Sequence, residues 1–113
     1  MIRLLCYISG HGFGHAVRVM EVVRALRRRR PDVAVAIRTP VPRWFFELGD
    51  GAPCSYASSR LDVGAVQSDS LSVDPEASLR AYAEIVAHRE QLLRAEVAAV
   101  EALRPTLIFA DIP

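Results

Sequence analysis

Hydrophobic and polar positions follow two periodicities in the first third of the chain. Ile2 to Ile8 is an apolar run broken only by Arg3, a pattern typical of a parallel strand that is buried on both faces. From about Phe13 to Arg29 the apolar residues recur at helical spacing, and the charged residues fall mostly on the other side. Pro31 ends this helix, because the residue before a proline is biased away from helical geometry. The chain is therefore predicted to open with a strand, a loop and an amphipathic helix.

The middle of the chain predicts shorter elements and one long irregular segment. Val33 to Arg38 is predicted to be a second strand, and the right-handed crossover from the first strand makes the sheet parallel. We expect a short helix over Pro40 to Leu48 and a short third strand over Cys54 to Ala57. Residues 58 to 73 are polar and irregular, and a loop of this length in a compact domain is usually functional or disordered. We favour a functional loop.

The last third predicts a long helix and a fourth strand. Asp74-Pro75 is a helix start, with the aspartate as N-cap and the proline at the first helical position. Arg104-Pro105 stops the helix, and Arg89-Glu90 interrupts its apolar stripe and marks a bend. Thr106 to Ala110 follows as an apolar strand. The apolar stripe of the helix consists of Leu79, Tyr82, Val86, Leu93, Val97 and Val100.

This order of elements predicts an α/β fold with a Rossmann-like parallel sheet and flanking helices. Such a sheet normally has helices on both faces, whereas the sequence stops shortly after the fourth strand. We therefore expect residues 1–113 to form part of a single, truncated domain that lacks at least one further strand and helix. The isolated chain is then expected to be marginally stable and inactive.

Composition narrows the functional classes. The chain is 51% hydrophobic with a net charge of +1, so it can form a core but has no global positive field for nucleic acid. No apolar run approaches the roughly 18 residues that span a bilayer, and the N-terminus has no signal-peptide layout, which predicts a cytoplasmic location. Arg27 to Arg30 is interpreted as a solvated helix end or as a patch for peripheral membrane contact. Cys6 and Cys54 lie in apolar segments and are expected to be reduced thiols.

Candidate chemistry lies where the predicted strands end, because ligands of open α/β sheets bind at the carboxyl ends of the strands. One such end carries the loop Gly10-His11-Gly12-Phe13-Gly14-His15, and another carries Asp111. The glycines allow a ligand to approach the backbone closely, and the helix N-terminus that follows binds an anion or a polarised oxygen. The spacing is not the dinucleotide fingerprint, because His15 stands where its third glycine or alanine would be.

His15 and Asp111 are candidates for a catalytic pair. At the start of a helix the dipole disfavours the cationic imidazole, which leaves a neutral base, and a carboxylate at a neighbouring strand end can orient it. In the simpler alternative, His15 caps the loop and Asp111 accepts backbone hydrogen bonds. His11 competes for the role of base, but its position between two glycines suits ligand contact better. No cysteine or acidic side chain near these histidines completes a metal site, so we predict none.

The residues of this loop also carry a resemblance. The stretch from Tyr7 to Ala16, continued by Arg18-Val19 and Glu21 to Arg24, resembles the start of the glycosyltransferase-like N-terminal domain of plant L-arabinokinases and bacterial relatives. The resemblance continues through Asp62 to Asp74 and Leu107 to Asp111, so it covers nearly the whole chain. The Gly14-His15 pair is also similar to the glycine-histidine pair after the first strand of GT-B glycosyltransferases. In the plant small-molecule enzymes of that class the histidine is the general base and an aspartate after a later strand orients it, which implies these roles for His15 and Asp111.

The resemblance further implies that residues 1–113 are the N-terminal, acceptor-side part of a GT-B fold. A hydroxyl-bearing acceptor would bind mainly here, and the nucleotide-sugar donor would bind mainly to a C-terminal domain that is absent from this chain. It implies metal-independent chemistry and no cofactor. For the polar residues of the long loop, hydrogen bonding to sugar hydroxyls and simple tethering of the loop both stay open. The candidate substrate-binding residues are Gly10, His11, Gly12, Phe13, Gly14, Asp62, Gln67 and Asp69.

Three functions follow from these observations. The leading hypothesis is a glycosyltransferase-like enzyme that transfers a sugar from a nucleotide-sugar to an acceptor hydroxyl by general-base catalysis. The alternative is a non-catalytic or regulatory domain of the same fold that binds a sugar or a nucleotide-sugar. The third is an NADP-linked oxidoreductase in which Arg38 faces a 2′-phosphate, and the glycine spacing argues against it. Trp44-Phe45-Phe46 is interpreted as core in preference to a stacking platform for a sugar.

Overall fold

The computed structural model describes residues 1–49 and 53–111 and contains a four-stranded sheet. The spatial order is β3-β2-β1-β4, and every neighbouring pair is parallel, which confirms the predicted Rossmann-like α/β fold. The first strand is central because its apolar residues are covered on both faces. The strands are β1 (Arg3–Tyr7), β2 (Ala34–Thr39), β3 (Ser55–Ser58) and β4 (Leu107–Ala110).

Four helices connect these strands, close to the predicted positions. The first begins at Gly14, one residue later than predicted, and the second is shorter than Pro40 to Leu48. The second helix starts late because Pro42 has an extended backbone, with ψ at 145°, and the helix can form only after it. The helices are α1 (Gly14–Arg29), α2 (Arg43–Glu47), α3 (Pro75–Ala87) and α4 (Arg89–Leu103).

The long helix predicted from Asp74 to Arg104 is broken at His88. Asp74 caps its start as predicted, since its carboxylate accepts a hydrogen bond from the Ala77 N–H at 2.9 Å. The His88 ring nitrogen Nδ1 lies 2.9 Å from the carbonyl oxygen of Glu84, the same oxygen that accepts the His88 backbone N–H. The break lies just before Arg89, next to the predicted position.

The main core lies between α1 and one face of the sheet. Alternate residues of β1 and β2 point toward α1, as the two-residue period of a strand requires. On the opposite face Leu5 is fully buried, and Tyr7 follows it on the same side. The buried residues of the core are Leu4, Cys6, Ile8, Ala16, Val19, Val23, Val33, Val35, Ile37 and Val41. Burial raises the pKa of the Cys6 thiol to about 12, with Cys54 as a smaller cause, so this thiol stays protonated.

The apolar stripe that the spacing indicated for α3 and α4 faces solvent over most of its length. Leu93 and Val97 are 54% and 55% exposed, whereas Leu92 and Glu96 on the adjacent face are more buried. The reason lies on the sheet, where Tyr7 and Arg38 offer a hydroxyl and a guanidinium to Glu96. Burial of this carboxylate turns the Leu92 side of α4 inward.

The described helices are all too short to cross a lipid bilayer.

Candidate functional site

The loop after β1 and the residue after β4 meet at the carboxyl edge of the sheet, as predicted. The Asp111 N–H donates to the Tyr7 carbonyl at 3.3 Å, so the pairing of β1 with β4 continues to the point where Asp111 leaves the sheet. Its side chain then turns toward the first turn of α1. Nδ1 of His15 lies 2.9 Å from Oδ2 of Asp111, and the two side chains are 24% and 13% exposed. The predicted neighbourhood of His15 and Asp111 is therefore confirmed, while their catalytic role stays a prediction.

The alignment between these two groups is imperfect. Oδ2 of Asp111 is buried, and within the described residues it receives no hydrogen bond of good geometry despite the 2.9 Å distance. The guanidinium of Arg18 also approaches, with Nη2 at 3.4 Å from the same Nδ1. The 2.9 Å distance makes the carboxylate and the imidazole neighbours. Whether a hydrogen bond forms between them depends on the tautomer of His15, because Nδ1 donates to Asp111 only when it carries the proton.

Ser9 connects the parts of the site. Its backbone N–H donates to Oδ1 of Asp111 at 3.1 Å, and its hydroxyl donates to Oδ2 of Asp62 at 2.7 Å. The same hydroxyl oxygen accepts the His11 N–H at 3.3 Å. Ser9 thereby holds the long loop against the glycine loop. The sequence analysis gave Ser9 no role, and the available signal was a polar residue between a buried strand and a glycine.

Asp111 and Asp62 line a cavity of about 250 Å³, which we call the edge cavity. Its position at the carboxyl ends of the strands is where α/β sheets bind ligands. The other walls come from the sheet and the segment after β3. The edge cavity is lined by Tyr7, Ile8, Ser9, Arg38, Ser59, Leu61, Asp62 and Asp111.

Glu96 lies behind the lining of this cavity, bound to three of the lining residues, and was not predicted as a site residue. Arg38 donates Nε and Nη2 to its two carboxylate oxygens at 2.6 and 2.9 Å, and the hydroxyls of Tyr7 and Ser59 donate at 2.8 and 2.6 Å. The signal in the sequence was a carboxylate among apolar residues of α4, between Leu92 and Val100, which the structure shows to be half-buried. Because Glu96 holds Arg38, the guanidinium does not present its charge to a 2′-phosphate, which weakens the oxidoreductase alternative.

The charge of Glu96 follows from these contacts. Burial alone would raise its pKa, but the hydrogen bonds from Arg38, Ser59 and Tyr7 together outweigh burial and hold the pKa below the ordinary value. Burial, and then the hydrogen bond to Glu96, raise the pKa of Tyr7 to about 12. At neutral pH the network is therefore a carboxylate, a guanidinium and neutral hydroxyls.

A second cavity of about 220 Å³ adjoins the first and shares Asp62 with it. His11 and Gly10 line it on one side and Gly64 on the other. A Cβ at Gly64 would collide with the His11 ring, and one at Gly10 would collide with the Pro40 ring, so both glycines permit close packing. His11 therefore lies against the long loop, away from the Asp111 carboxylate that contacts His15.

The remaining loop residues serve the structure of the loop. Gly12 has a φ of 71°, which favours glycine, and Gly14 is the first residue of α1. Phe13 stacks on Phe45 at 5.3 Å between ring centroids and also contacts Trp44 at 5.8 Å. These contacts fix the start of α1 against α2, and Phe13 lines neither cavity.

The structure does not bring Gln67 and Asp69 to either cavity. Gln67 pairs with Val73 in an isolated antiparallel bridge, and both Gln67 and Asp69 are exposed. The Asp69 carboxylate accepts the Leu71 N–H at 2.8 Å, and this bond lowers its pKa. Of the three loop residues predicted to bind substrate, Asp62 lies at the candidate site, and Gln67 and Asp69 hold the turn. In residues 1–49 and 53–111 no group of three or more His, Cys, Asp or Glu side chains is arranged to hold a metal ion.

Comparison with known proteins relates the chain to a plant sugar kinase. Over 108 residues it is 40% identical to L-arabinokinase from Arabidopsis thaliana, an alignment that covers 94% of this chain and 10% of that protein. The chain thus spans about a tenth of the length of the curated relative it matches. No family model matches the chain. No solved structure matches it either.

Proposed function

We propose that this chain is the acceptor-side part of a glycosyltransferase-like domain of the GT-B class. The observation that carries the proposal is the 2.9 Å approach of His15 to Asp111 beside the edge cavity, at the carboxyl ends of a parallel sheet. The similarity to L-arabinokinase supports a more general function, that of an enzyme that acts on sugars, because the name of that protein describes such an enzyme. The nucleotide-sugar donor belongs to a second domain outside this chain.

In the proposed reaction His15 acts as the general base. Asp111 holds the proton on Nδ1, so that Nε2 carries the lone pair that accepts the proton of the acceptor hydroxyl. The acceptor oxygen forms a bond to the anomeric carbon of the donor as the bond from that carbon to the diphosphate oxygen breaks. The electron pair of the broken bond leaves with the nucleoside diphosphate. Ser9 supports this arrangement because its N–H fixes the other oxygen of Asp111.

The exposed faces of β4 support the proposal that the domain continues beyond this chain. Leu107 is 58% exposed and Ile108 is 48% exposed, although they lie on opposite faces of the same strand. A strand of a complete α/β domain is normally covered on both faces. We propose that further helices of the same protein cover them.

Release of nucleoside diphosphate from nucleotide-sugars tests the proposed reaction in the protein that carries this chain. Uridine, guanosine and thymidine diphosphate sugars are offered with and without neutral sugars as acceptors. Release that requires both the acceptor and His15 supports sugar transfer. A turnover that His15→Ala leaves unchanged contradicts it.

A second candidate is a domain that binds a sugar or a nucleotide-sugar without catalysis. The imperfect alignment of Asp111 with His15, together with Arg18 at 3.4 Å from Nδ1, favours it. If Arg18 donates to Nδ1, then the proton resides on Nε2, and the ring has no lone pair for the acceptor. Thermal-shift measurements with nucleotide-sugars and with NADP separate these options, because a ligand stabilises only a fold that binds it. Stabilisation by a nucleotide-sugar without turnover identifies the binding domain.

A further inference from the structure

We infer that the edge cavity binds a neutral, polyhydroxylated acceptor and excludes acceptors that carry a carboxylate or a phosphate. The inference rests on the proposed function, because it names the class of acceptor for the same site. It is carried by the charges and the hydrogen-bonding groups that line the cavity.

The uncompensated charges of the edge cavity are negative. Arg38 is the one lining residue with a cationic side chain, and Glu96 binds it with two hydrogen bonds at 2.6 and 2.9 Å. This pair has no net charge. Asp62 and Asp111 remain, the first bound to a neutral hydroxyl and the second beside an imidazole. Arg60 is exposed and lines the second cavity instead. Within the described residues, the lining of the edge cavity therefore presents two carboxylates to an anionic ligand and no cation other than the paired Arg38, while Arg18 approaches His15 from outside this lining.

The hydrogen-bonding groups of the cavity also favour hydroxyl groups on the ligand. The hydroxyls of Ser9, Ser59 and Tyr7 all donate their protons to carboxylates, so they offer only lone pairs to a ligand. A polyol supplies donors for these acceptors, whereas an ionised acid or phosphate supplies further acceptors.

The volume of the cavity suits a ligand of one sugar ring. The cavity of about 250 Å³ is below the roughly 300–1,000 Å³ of sites for drug-sized ligands. Ile8 and Leu61 contribute apolar wall, which suits the C–H face of a sugar ring. A single neutral monosaccharide unit satisfies the volume, the acceptors and the apolar surface together.

Calorimetric binding of matched sugars to the protein that carries this chain tests the inference. The neutral probes are D-glucose, D-galactose, D-xylose and L-arabinose, and the anionic probes are D-glucuronate, D-galacturonate and glucose 6-phosphate. We expect at least one neutral sugar to bind about 10-fold or more tightly than its anionic counterpart at low salt, since like charges repel at close range. Asp62→Asn, which keeps an acceptor for Ser9, is expected to reduce this preference severalfold. Glu101→Gln removes the same unit of charge from an exposed part of α4 and is expected to leave the preference unchanged.

Three results would overturn the inference. These are anionic probes that bind as tightly as the neutral ones, a preference that Asp62→Asn leaves intact, or no binding of any neutral probe at roughly 100 mM, a concentration that saturates even a millimolar site. Its failure is distinguishable from failure of the proposed function. Turnover that depends on His15, in a protein that prefers anions, refutes the inference alone. Selective sugar binding without turnover refutes the proposed catalysis and leaves the inference standing.

Discussion

Glu96 shows how one buried carboxylate organises its surroundings. Its side chain is 12% exposed and accepts four hydrogen bonds, from Arg38, Tyr7 and Ser59. Loss of the carboxylate charge would leave the Arg38 guanidinium, which is 15% exposed, without its counterion. The cost of a broken buried pair arises mostly from such an uncompensated charge.

We predict that Glu96→Gln lowers the free energy of unfolding by about 2 kcal/mol at pH 7, less than the roughly 3–5 kcal/mol of fully buried pairs because this one is partly exposed. The pKa of Glu96 is lower in the folded state than its ordinary value of 4.5, so its contribution is present above that value. The contribution is lost as pH falls from about 4.5 through the folded pKa. Urea unfolding of both proteins from pH 3 to 7 measures this, with Glu101→Gln as the control on the exposed face of α4. A difference in unfolding free energy between the two proteins that stays the same from pH 3 to 7 would contradict this role of the Glu96 charge.

The residues of the site differ in how far the sequence could predict them. His15 and Asp111 follow from one rule, because polar residues at the ends of parallel strands gather at one edge of the sheet. The position of Glu96 at the site could not be predicted by such a rule. Its partner Arg38 lies 58 residues earlier, and the pairing depends on which face of α4 meets the sheet. Gln67 and Asp69 have the residue types of sugar ligands, but their short turn uses them locally.

At the scale of elements, α4 shows the limit of periodicity. Apolar residues at helical spacing predicted the helix correctly, yet α4 carries two such stripes on adjacent faces. One includes Leu93 and Val97, and the other includes Leu92 and Leu103. Periodicity alone cannot show which of two apolar faces packs against the sheet. The tertiary contact of Glu96 with Arg38 determines which face of α4 does so.

Two neighbouring leucines of α4 test this orientation. Leu92→Ala is predicted to lower the free energy of unfolding by about 2 kcal/mol, at the low end for buried leucines because Leu92 is partly exposed. Leu93→Ala, in the same helix but 54% exposed, should cost less than about 1 kcal/mol. The matched pair removes any effect of helix propensity, since both changes are identical. Denaturant unfolding in which Leu93→Ala is the more costly change would show that the other stripe faces the sheet.

At the scale of the whole molecule, the sheet is the part that the sequence predicted best. All four strands lie within one or two residues of their predicted ends, and the first and last are short apolar runs whose limits are marked by glycine, proline or charged residues. The two cavities were not predictable, since they depend on how the long loop from residue 59 folds back over the carboxyl edge. Ser9, His11 and Asp62 hold that loop through side-chain contacts that span up to 53 residues. Together the sheet and the loop place Asp111 in the lining of the edge cavity, and His15, which is not among the lining residues, lies 2.9 Å from its carboxylate.

The central claim, that His15 is a base oriented by Asp111, is tested most directly by the turnover of three variants of the protein that carries this chain. His15→Ala is predicted to lower kcat by about 10² to 10⁴-fold with substrate binding largely retained, the usual contribution of general-base catalysis. Asp111→Asn should lower kcat comparably or less, and His11→Ala should affect KM more than kcat. His88→Ala, at the exposed break between α3 and α4, is the control histidine. Near-normal turnover of His15→Ala together with loss of turnover in His11→Ala would contradict the account.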